Sequence, residues 1–384
     1  MSLVPSHVEL SDDQRALVET TREFCEQELL PLDRRCDRDG SSITQILPKI
    51  AELGLLELLV PESLGGLGCS YPTYVSILHE VSKSSPSTAV TLSVHSLAGS
   101  ILDKRAAEPK RTEWLSSWGS AENFGAFALS EAGAGSDAAN IKTMATKVDG
   151  GFRLTGEKMW ITNGLTGRWF LTLARLVGAP EKESLLALLV DGNEPGVERT
   201  EIPGKMGIRA SETAVINYTD VFVPSDHLIG ELGRGLEVFL SGLDRGRLGI
   251  AAQASGIAEA CLCEMVSYAR QREQFGKPIG SFQAVANMIA DSAVELEAAR
   301  SLIWRGALAV EAGEPHSSAS SMAKLYASEA ANRIAYRAVQ IHGGAGYVNE
   351  CRVEQLYRDA RVTTIYEGTS EIQRIVIARE LGGR

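Results

Sequence analysis

A chain of 384 residues with 44% apolar content is long enough for about two or three domains with sizeable cores. Its 38 basic and 49 acidic residues leave a formal charge of −11, which argues against nucleic acid or an anionic membrane as the main partner. No apolar run approaches the roughly 20 residues needed to span a bilayer. The longest, Leu53 to Val60, is interrupted by Glu57.

The N-terminus has no basic segment leading into an apolar core, so no signal peptide is expected. Ser11 and Gln14 form a capping box that opens a helix, expected to run to about Leu30 and stop at Pro31. Ile46 to Leu56 and Pro72 to Val81 read as further helices. Ala89 to Leu102, apolar and small throughout, predicts a buried helix that lines a pocket. Trp114 and Trp118, one turn apart, read as core packing.

At about Phe124 the period changes. Phe124 to Leu129, Thr143 to Val148, Phe152 to Thr155, Lys158 to Ile161, Trp169 to Ala174, Leu185 to Val190 and Ala214 to Tyr218 are short strand-like runs. Turn signals such as Asp149-Gly150 and Asp191-Gly192 separate them. After Pro224 the helical period returns. Leu248, Ala252, Ser255, Leu262 and Val266 mark one long helix, and Val285, Ile289, Leu296 and Ile303 mark a second, stopped by Gly313 and Pro315. A third spans Met322 to Ile341 and ends at Gly343-Gly344. The order predicts an α+β multidomain fold. An N-terminal helical domain (1–122) is followed by a middle β-barrel-like domain (123–225) and a C-terminal four-helix bundle (226–384).

Six cysteines are scattered without metal-ligand spacing, as expected of free thiols in a cytosolic protein, and no metal motif such as HExxH occurs. Ser130-Glu131-Ala132-Gly133-Ala134-Gly135-Ser136-Asp137 lacks the glycine spacing of a dinucleotide fingerprint, yet it offers backbone N–H groups and hydroxyls to a ring edge or phosphate. Met159-Trp160-Ile161-Thr162-Asn163 ends a strand with an aromatic plate and two polar side chains, suited to a flat heterocycle or simply to covering core. Asp244 with Arg247 reads locally as an ion pair on one helix face, and the Arg270 to Phe275 cluster as a solvated helix end. His342-Gly343-Gly344-Ala345-Gly346-Tyr347 permits close backbone approach or caps a helix.

Tyr366-Glu367-Gly368-Thr369-Ser370 places a carboxylate on a tight turn before a final helix. Ser370 and Gln373 read as that helix's capping box. Ile365 and Tyr366 lead Glu367 into a partly dry site, where desolvation raises a carboxyl pKa. A solvated loop glutamate is the other local reading.

SEAGAGSD, KMWITNG, GIRASET, LDRGR, RQREQFGKPI, QIHGGAGY and IYEGTSEIQR occur in this order across nearly the whole chain. Together they resemble the acyl-CoA dehydrogenase family. The resemblance implies bound FAD, an acyl-CoA thioester oxidised to a trans-2-enoyl-CoA, and Glu367 as the base that removes the α-proton while the β-hydrogen leaves as hydride. It implies flavin contacts from Phe127, Leu129, Ser130, Trp160, Thr162 and Thr369, and coenzyme A contacts from Ser136, Asp244 and Arg247. Arg272, Gln274, Phe275, Gln340 and Gly344 would hold the FAD diphosphate and adenosine across a subunit interface, in a homotetramer. Electrons would pass to an electron-transfer flavoprotein, in the cytoplasm or, after loss of a transit peptide, the mitochondrial matrix. Ala132 and Glu371 stand where many members carry proline and glutamine. Related branches carry the base at the helix position matching Gly246, which here has no side chain, so the space beside it should be open. Three rival readings weaken: an acyl-CoA oxidase, whose chains are usually much longer; a flavin monooxygenase or nitroalkane-oxidising relative, which lacks the glutamate; and a non-catalytic binding protein, against which both Glu367 and the charge weigh.

Overall fold

A computed structural model describes residues 10–382, apart from the Lys182 side chain; the first residues, on which the signal-peptide reading rests, lie outside that range. Helix α1 (Asp12–Phe24) opens on the Ser11–Gln14 capping box, as the sequence predicts. Pro31 does not end the helical run. The chain passes through one π-helical turn, Cys25–Leu29, into α2 (Leu30–Asp39). The turn lets the Leu30 N–H reach the Cys25 carbonyl, and Pro31 then falls in the first turn of α2, where its missing N–H costs nothing.

The next predicted helix is shorter than expected. A 3₁₀ turn, Ile43–Ile46, leads to α3 (Leu47–Glu52), and Gly54 at φ +72° turns the chain away. Helices α4 (Tyr71–Ser84) and α5 (Pro86–Arg105) follow; α5 is buried on every side from Pro86 to Leu102. Helix α6 (Lys110–Leu115) seats Trp114, and the turn after it seats Trp118; both indoles are core.

The middle of the chain forms one curled sheet from β1 (Gly125–Ala128), β2 (Met144–Val148), β3 (Gly151–Thr162), β4 (Trp169–Leu176), β5 (Leu185–Asp191), β6 (Val197–Glu201) and β7 (Thr213–Pro224). The order is β1-β4-β2-β3-β7-β6, with β5 on the other side of β4. The two runs expected at Phe152 and Lys158 are one strand, interrupted by a bulge beside Gly156. Strand β6 was not foreseen. It is a polar edge strand paired only with β7, so neither face shows apolar alternation.

Helix α7 (Gly235–Gln271) is 37 residues long, about 55 Å. A hairpin of β8 (Glu273–Gln274) and β9 (Lys277–Pro278) turns the chain into α8 (Gln283–Glu311), which returns to α9 (Ser317–His342), α10 (Arg352–Val362) and α11 (Ser370–Glu380). Arg247 on α7 bonds Ser321 on α9, and Tyr268 stacks on His342 at 4.2 Å, so α7 and α9 run parallel with α8 antiparallel to both. The fold is mainly helical: helices, a curled half-barrel sheet, then a helical bundle.

Candidate active site

The end of β3 and the loop after β1 are stapled together. Lys158, fully buried, donates to the Leu129 carbonyl (3.0 Å) and to Glu131 Oε1 (2.8 Å). Glu131 also accepts from Thr143 Oγ1 and the Lys142 N–H. Burial pushes the Lys158 ammonium down to about 8. Burial also works to raise the Glu131 carboxyl, but these donors outweigh it and hold the group below its ordinary value. Motif reading missed this pair, although a lysine leading the apolar run Met159-Trp160-Ile161 was a signal.

Phe127 lies in β1, Leu129 and Ser130 follow it, and Trp160 and Thr162 lie at the end of β3; the Met159 N–H donates to the Ser130 carbonyl, so the two segments run side by side. A second β3 bulge, between Lys158 and Ile161, turns Trp160 into the left-handed region at φ +65°, and the residue is 57% exposed. A Cβ added at Gly133 or Gly135 would meet nothing within 4 Å, so the loop carrying Ser136 is an open cradle. Asn163, read as a second polar group for a heterocycle, instead points inward and donates to the Thr91 and Gly125 carbonyls. An exposed aromatic plate beside open backbone fits the ring of FAD.

Glu367 lies between α10 and α11 at φ +53°, followed by Gly368 at +87°. Helix α11 is capped by Thr369, whose Oγ1 accepts from the Ile372 N–H, and not by Ser370. The Ser370 N–H is committed to the Thr364 carbonyl, and Gln373 turns back to the Glu367 and Gly368 carbonyls. Lys324, buried on α9, donates to the same Gly368 carbonyl (2.7 Å). The turn is therefore held from two helices.

Although the residue as a whole is half-buried, Glu367 Oε2 is sealed from solvent and has no hydrogen-bond partner. Desolvation raises the carboxyl to about 7 against the opposing pull of Arg247 and Lys324. A Cβ built on Gly246 would lie 2.8 Å from that Oε2 and 3.2 Å from Leu97 Cδ2. The space expected to be open beside Gly246 is taken by the carboxylate itself. Only a glycine permits this approach.

Arg247 is 6% exposed and bonds Asp244 and Ser321; Asp244, also bonded by Ser317, keeps the more open face. Val90, Val94, Ile208 and Ile250 form a small apolar cluster with Phe127, Val362 and Tyr366. Phe127 joins this cluster to the sheet side of the site. The Tyr366 hydroxyl donates to Gln253 Oε1, and Gln253 Nε2 donates to the Pro86 carbonyl (2.8 Å). Gln253, seven residues after Gly246 on α7, was not anticipated.

Arg272, Gln274, Phe275, Gln340 and Gly344 are exposed and lie elsewhere. The Tyr268–His342 stack brings their two segments side by side, with Phe275 93% exposed at φ +52°. Arg272 is 25 residues from Arg247 along α7, about 37 Å. Within one chain this group cannot touch what Trp160 and Glu367 touch.

Family models described as acyl-CoA dehydrogenase N-terminal, middle and C-terminal domains match residues 11–122, 126–221 and 233–382. The short-chain specific acyl-CoA dehydrogenase of Mus musculus mitochondria is 42% identical over 97% of this chain and 91% of its own. The butyryl-CoA dehydrogenase structure from Megasphaera elsdenii superimposes with a TM-score of 0.95 at 34% identity, covering 97% and 99% of the two chains. A chain from a structure described as the electron transferring flavoprotein of Acidaminococcus fermentans gives 0.95 at 35% identity, covering 97% and 98%. The exposed plate, the cradle and the desolvated carboxylate thus stand in a chain that belongs to the acyl-CoA dehydrogenase family, the FAD-dependent oxidoreductases of acyl-CoA thioesters.

Proposed function

We propose that this enzyme oxidises short-chain acyl-CoA thioesters, with Glu367 as the base. One observation carries the reading: a carboxylate oxygen without a partner, held in a dry site against a glycine. A thioester α-proton is weakly acidic, so its removal needs a base of raised pKa and a donor for the developing enolate oxygen. Glu367 supplies the first. Its own backbone N–H, which donates to nothing among the described residues, would supply the second. Arg247 and Lys324, both buried, stabilise the carboxylate between turnovers. FAD would supply the hydride acceptor for the β-carbon; Phe127, Leu129, Ser130, Trp160 and Thr162 would hold its ring end and Thr369 its phosphate region. Ser136 and Asp244 would meet the coenzyme A arm, and Arg247 would fix Asp244. An electron-transfer flavoprotein would take the electrons.

The Tyr366–Gln253 bond supports the short-chain reading. It closes the apolar cluster seven residues beyond Gly246, about 10 Å along α7. That depth admits an acyl tail of a few carbons, and no cluster residue carries a charge to receive a second carboxylate. Anaerobic bleaching of the flavin should be fastest with butyryl-CoA and at least about tenfold slower with octanoyl- or glutaryl-CoA. Gln253→Ala should narrow the gap to octanoyl-CoA. Equal rates for butyryl- and octanoyl-CoA in the parent enzyme would rule out the short pocket.

The distant group at the end of α7 fits the same cofactor bound to a neighbouring subunit, in a homotetramer. Arg272→Ala is then expected to lose FAD and loosen the oligomer together, read by absorbance at the flavin band and by sedimentation. Full flavin occupancy in a clean monomer would contradict it.

A further inference from the structure

We propose that Asp359 and Lys205 are positioning residues: together they hold Ile208 in a strained turn, so that its side chain forms the wall at which the acyl tail stops. The proposal rests on the reading of the apolar cluster around Tyr366 as the receptor for that tail.

Ile208 lies in the loop between β6 and β7, with its backbone in the left-handed region at φ +51°. A β-branched residue is an outlier there, and a glycine would make the same turn without strain. Gly207 beside it has a packing reason to be glycine, since an added Cβ would collide with the Arg358 carbonyl on α10. The turn makes no such demand for isoleucine at 208. What the side chain does is fill the cluster. It is 6% exposed and packs with Val90 and Val94 of α5 and Ile250 of α7, under Phe127, Val362 and Tyr366.

Two ionisable side chains grip the residue at its two ends. Asp359 Oδ1, on α10, accepts from the Ile208 N–H (2.5 Å). Lys205 Nζ donates to the Ile208 carbonyl (2.9 Å), to the Ser211 carbonyl and to Thr213 Oγ1 (3.1 Å). Asp359 is fully buried, and its Oδ2 has no hydrogen-bond partner. Such a group is costly to the fold, yet its one bond goes to the strained residue. Burial, with Asp33 nearby, pushes the carboxyl up to about 8. A neutral acid still accepts through Oδ1, so the grip needs an oxygen and not a charge. Val362, one turn after Asp359, carries part of the wall on the same helix face.

The cluster stands next in line from the reacting end. Leu97 and Gly246 flank the Glu367 carboxylate, and one turn on Ser93 of α5 meets Gly249 of α7. Val94 and Ile250 are the residues beside that second contact. One helical turn is about 5 Å, the reach of the last carbons of a short acyl chain.

The test measures kcat and KM for butyryl- and hexanoyl-CoA with FAD-loaded enzyme. Ile208→Ala removes the wall and should raise the hexanoyl-to-butyryl ratio of kcat/KM about tenfold. Asp359→Ala and Lys205→Met do not line the cluster, yet each should raise the ratio at least about threefold, through KM more than kcat. Asp359→Asn keeps an acceptor for the Ile208 N–H and should keep the parent ratio. If Ile208→Ala leaves the ratio unchanged, the tail does not reach the cluster, and the proposal falls with that reading. If Ile208→Ala shifts it while Asp359→Ala and Lys205→Met do not, the cluster still receives the tail and the clamp is overturned. Asp359→Asn shifting the ratio as far as Asp359→Ala would overturn it too. Should Asp359→Ala fail to fold, Lys205→Met decides alone.

Discussion

Glu367→Gln enzyme should keep its flavin and bind butyryl-CoA, yet reduce that flavin at least about 10³-fold more slowly than the parent. The amide preserves the shape that fits against Gly246 but cannot take a proton. In the parent, kcat/KM should rise with pH and level off above about 7, because the free enzyme's carboxyl is held near that value by desolvation and must be ionised to act. The variant should lack this limb. Stability has the opposite sign. A carboxyl raised in the folded state contributes stability that is fully present below its ordinary 4.5 and is lost as pH rises through about 7. The amide never ionises, so Glu367→Gln should unfold at a higher temperature than the parent above pH 7. Single-turnover reduction within about tenfold of the parent would remove Glu367 from the role of base.

Glu367→Gly should be nearly inactive, and Gly246→Glu in that background should recover at least about tenfold of the lost rate. The two positions face one another from a turn and from a helix, and a Cβ added at Gly246 would lie 2.8 Å from Glu367 Oε2. Clearing 367 frees the volume that a side chain at 246 needs, leaving only the end of Leu97 to shift. Recovery should stop well short of the parent, since a base misplaced by about 1 Å can cost roughly 10²-fold. Gly246→Glu alone should be destabilised, with its Cβ against Oε2 and two carboxylates in one dry space. Single-turnover reduction by butyryl-CoA, with FAD content matched, reads all three variants. A folded, loaded double variant no faster than Glu367→Gly would show that Gly246 does not face the reacting carbon.

The helical and strand periods made the layer order legible because many elements bury one recurrent face, as α1 and β7 do. Helix α8 and the C-terminal ends of α7 and α9 were read closely, while α7 begins at Gly235, well before its first predicted marker Leu248. The errors fall where local chemistry has more than one outcome. Pro31 terminates an α-helix but is harmless one π-turn later, and no periodicity distinguishes the two. Thr369 and Ser370 are both good caps; the choice between them rests on the Thr364 carbonyl and on Gln373 turning inward. Strand β6 gave no signal because a polar edge needs only one neighbour. Within the site, Glu367 was legible as a carboxylate on a turn. Its confrontation with Gly246, and the Tyr366–Gln253 closure, join residues more than 110 positions apart. Such pairings are properties of packing.

The left-handed backbone at Glu367 has a consequence for descent. A residue with a side chain at φ +53° strains the chain by about 1 kcal/mol or more, and glycine would release it. Loss of the base is thus favoured by folding and opposed by turnover alone. A lineage that moves its base to α7 must either crowd two carboxylates together or pass through a sturdy, inactive form. The second route is open to a duplicated gene whose sister still does the work. Drift towards stability would carry the spare copy to glycine at 367, and the vacated space would then admit a new acid from the helix.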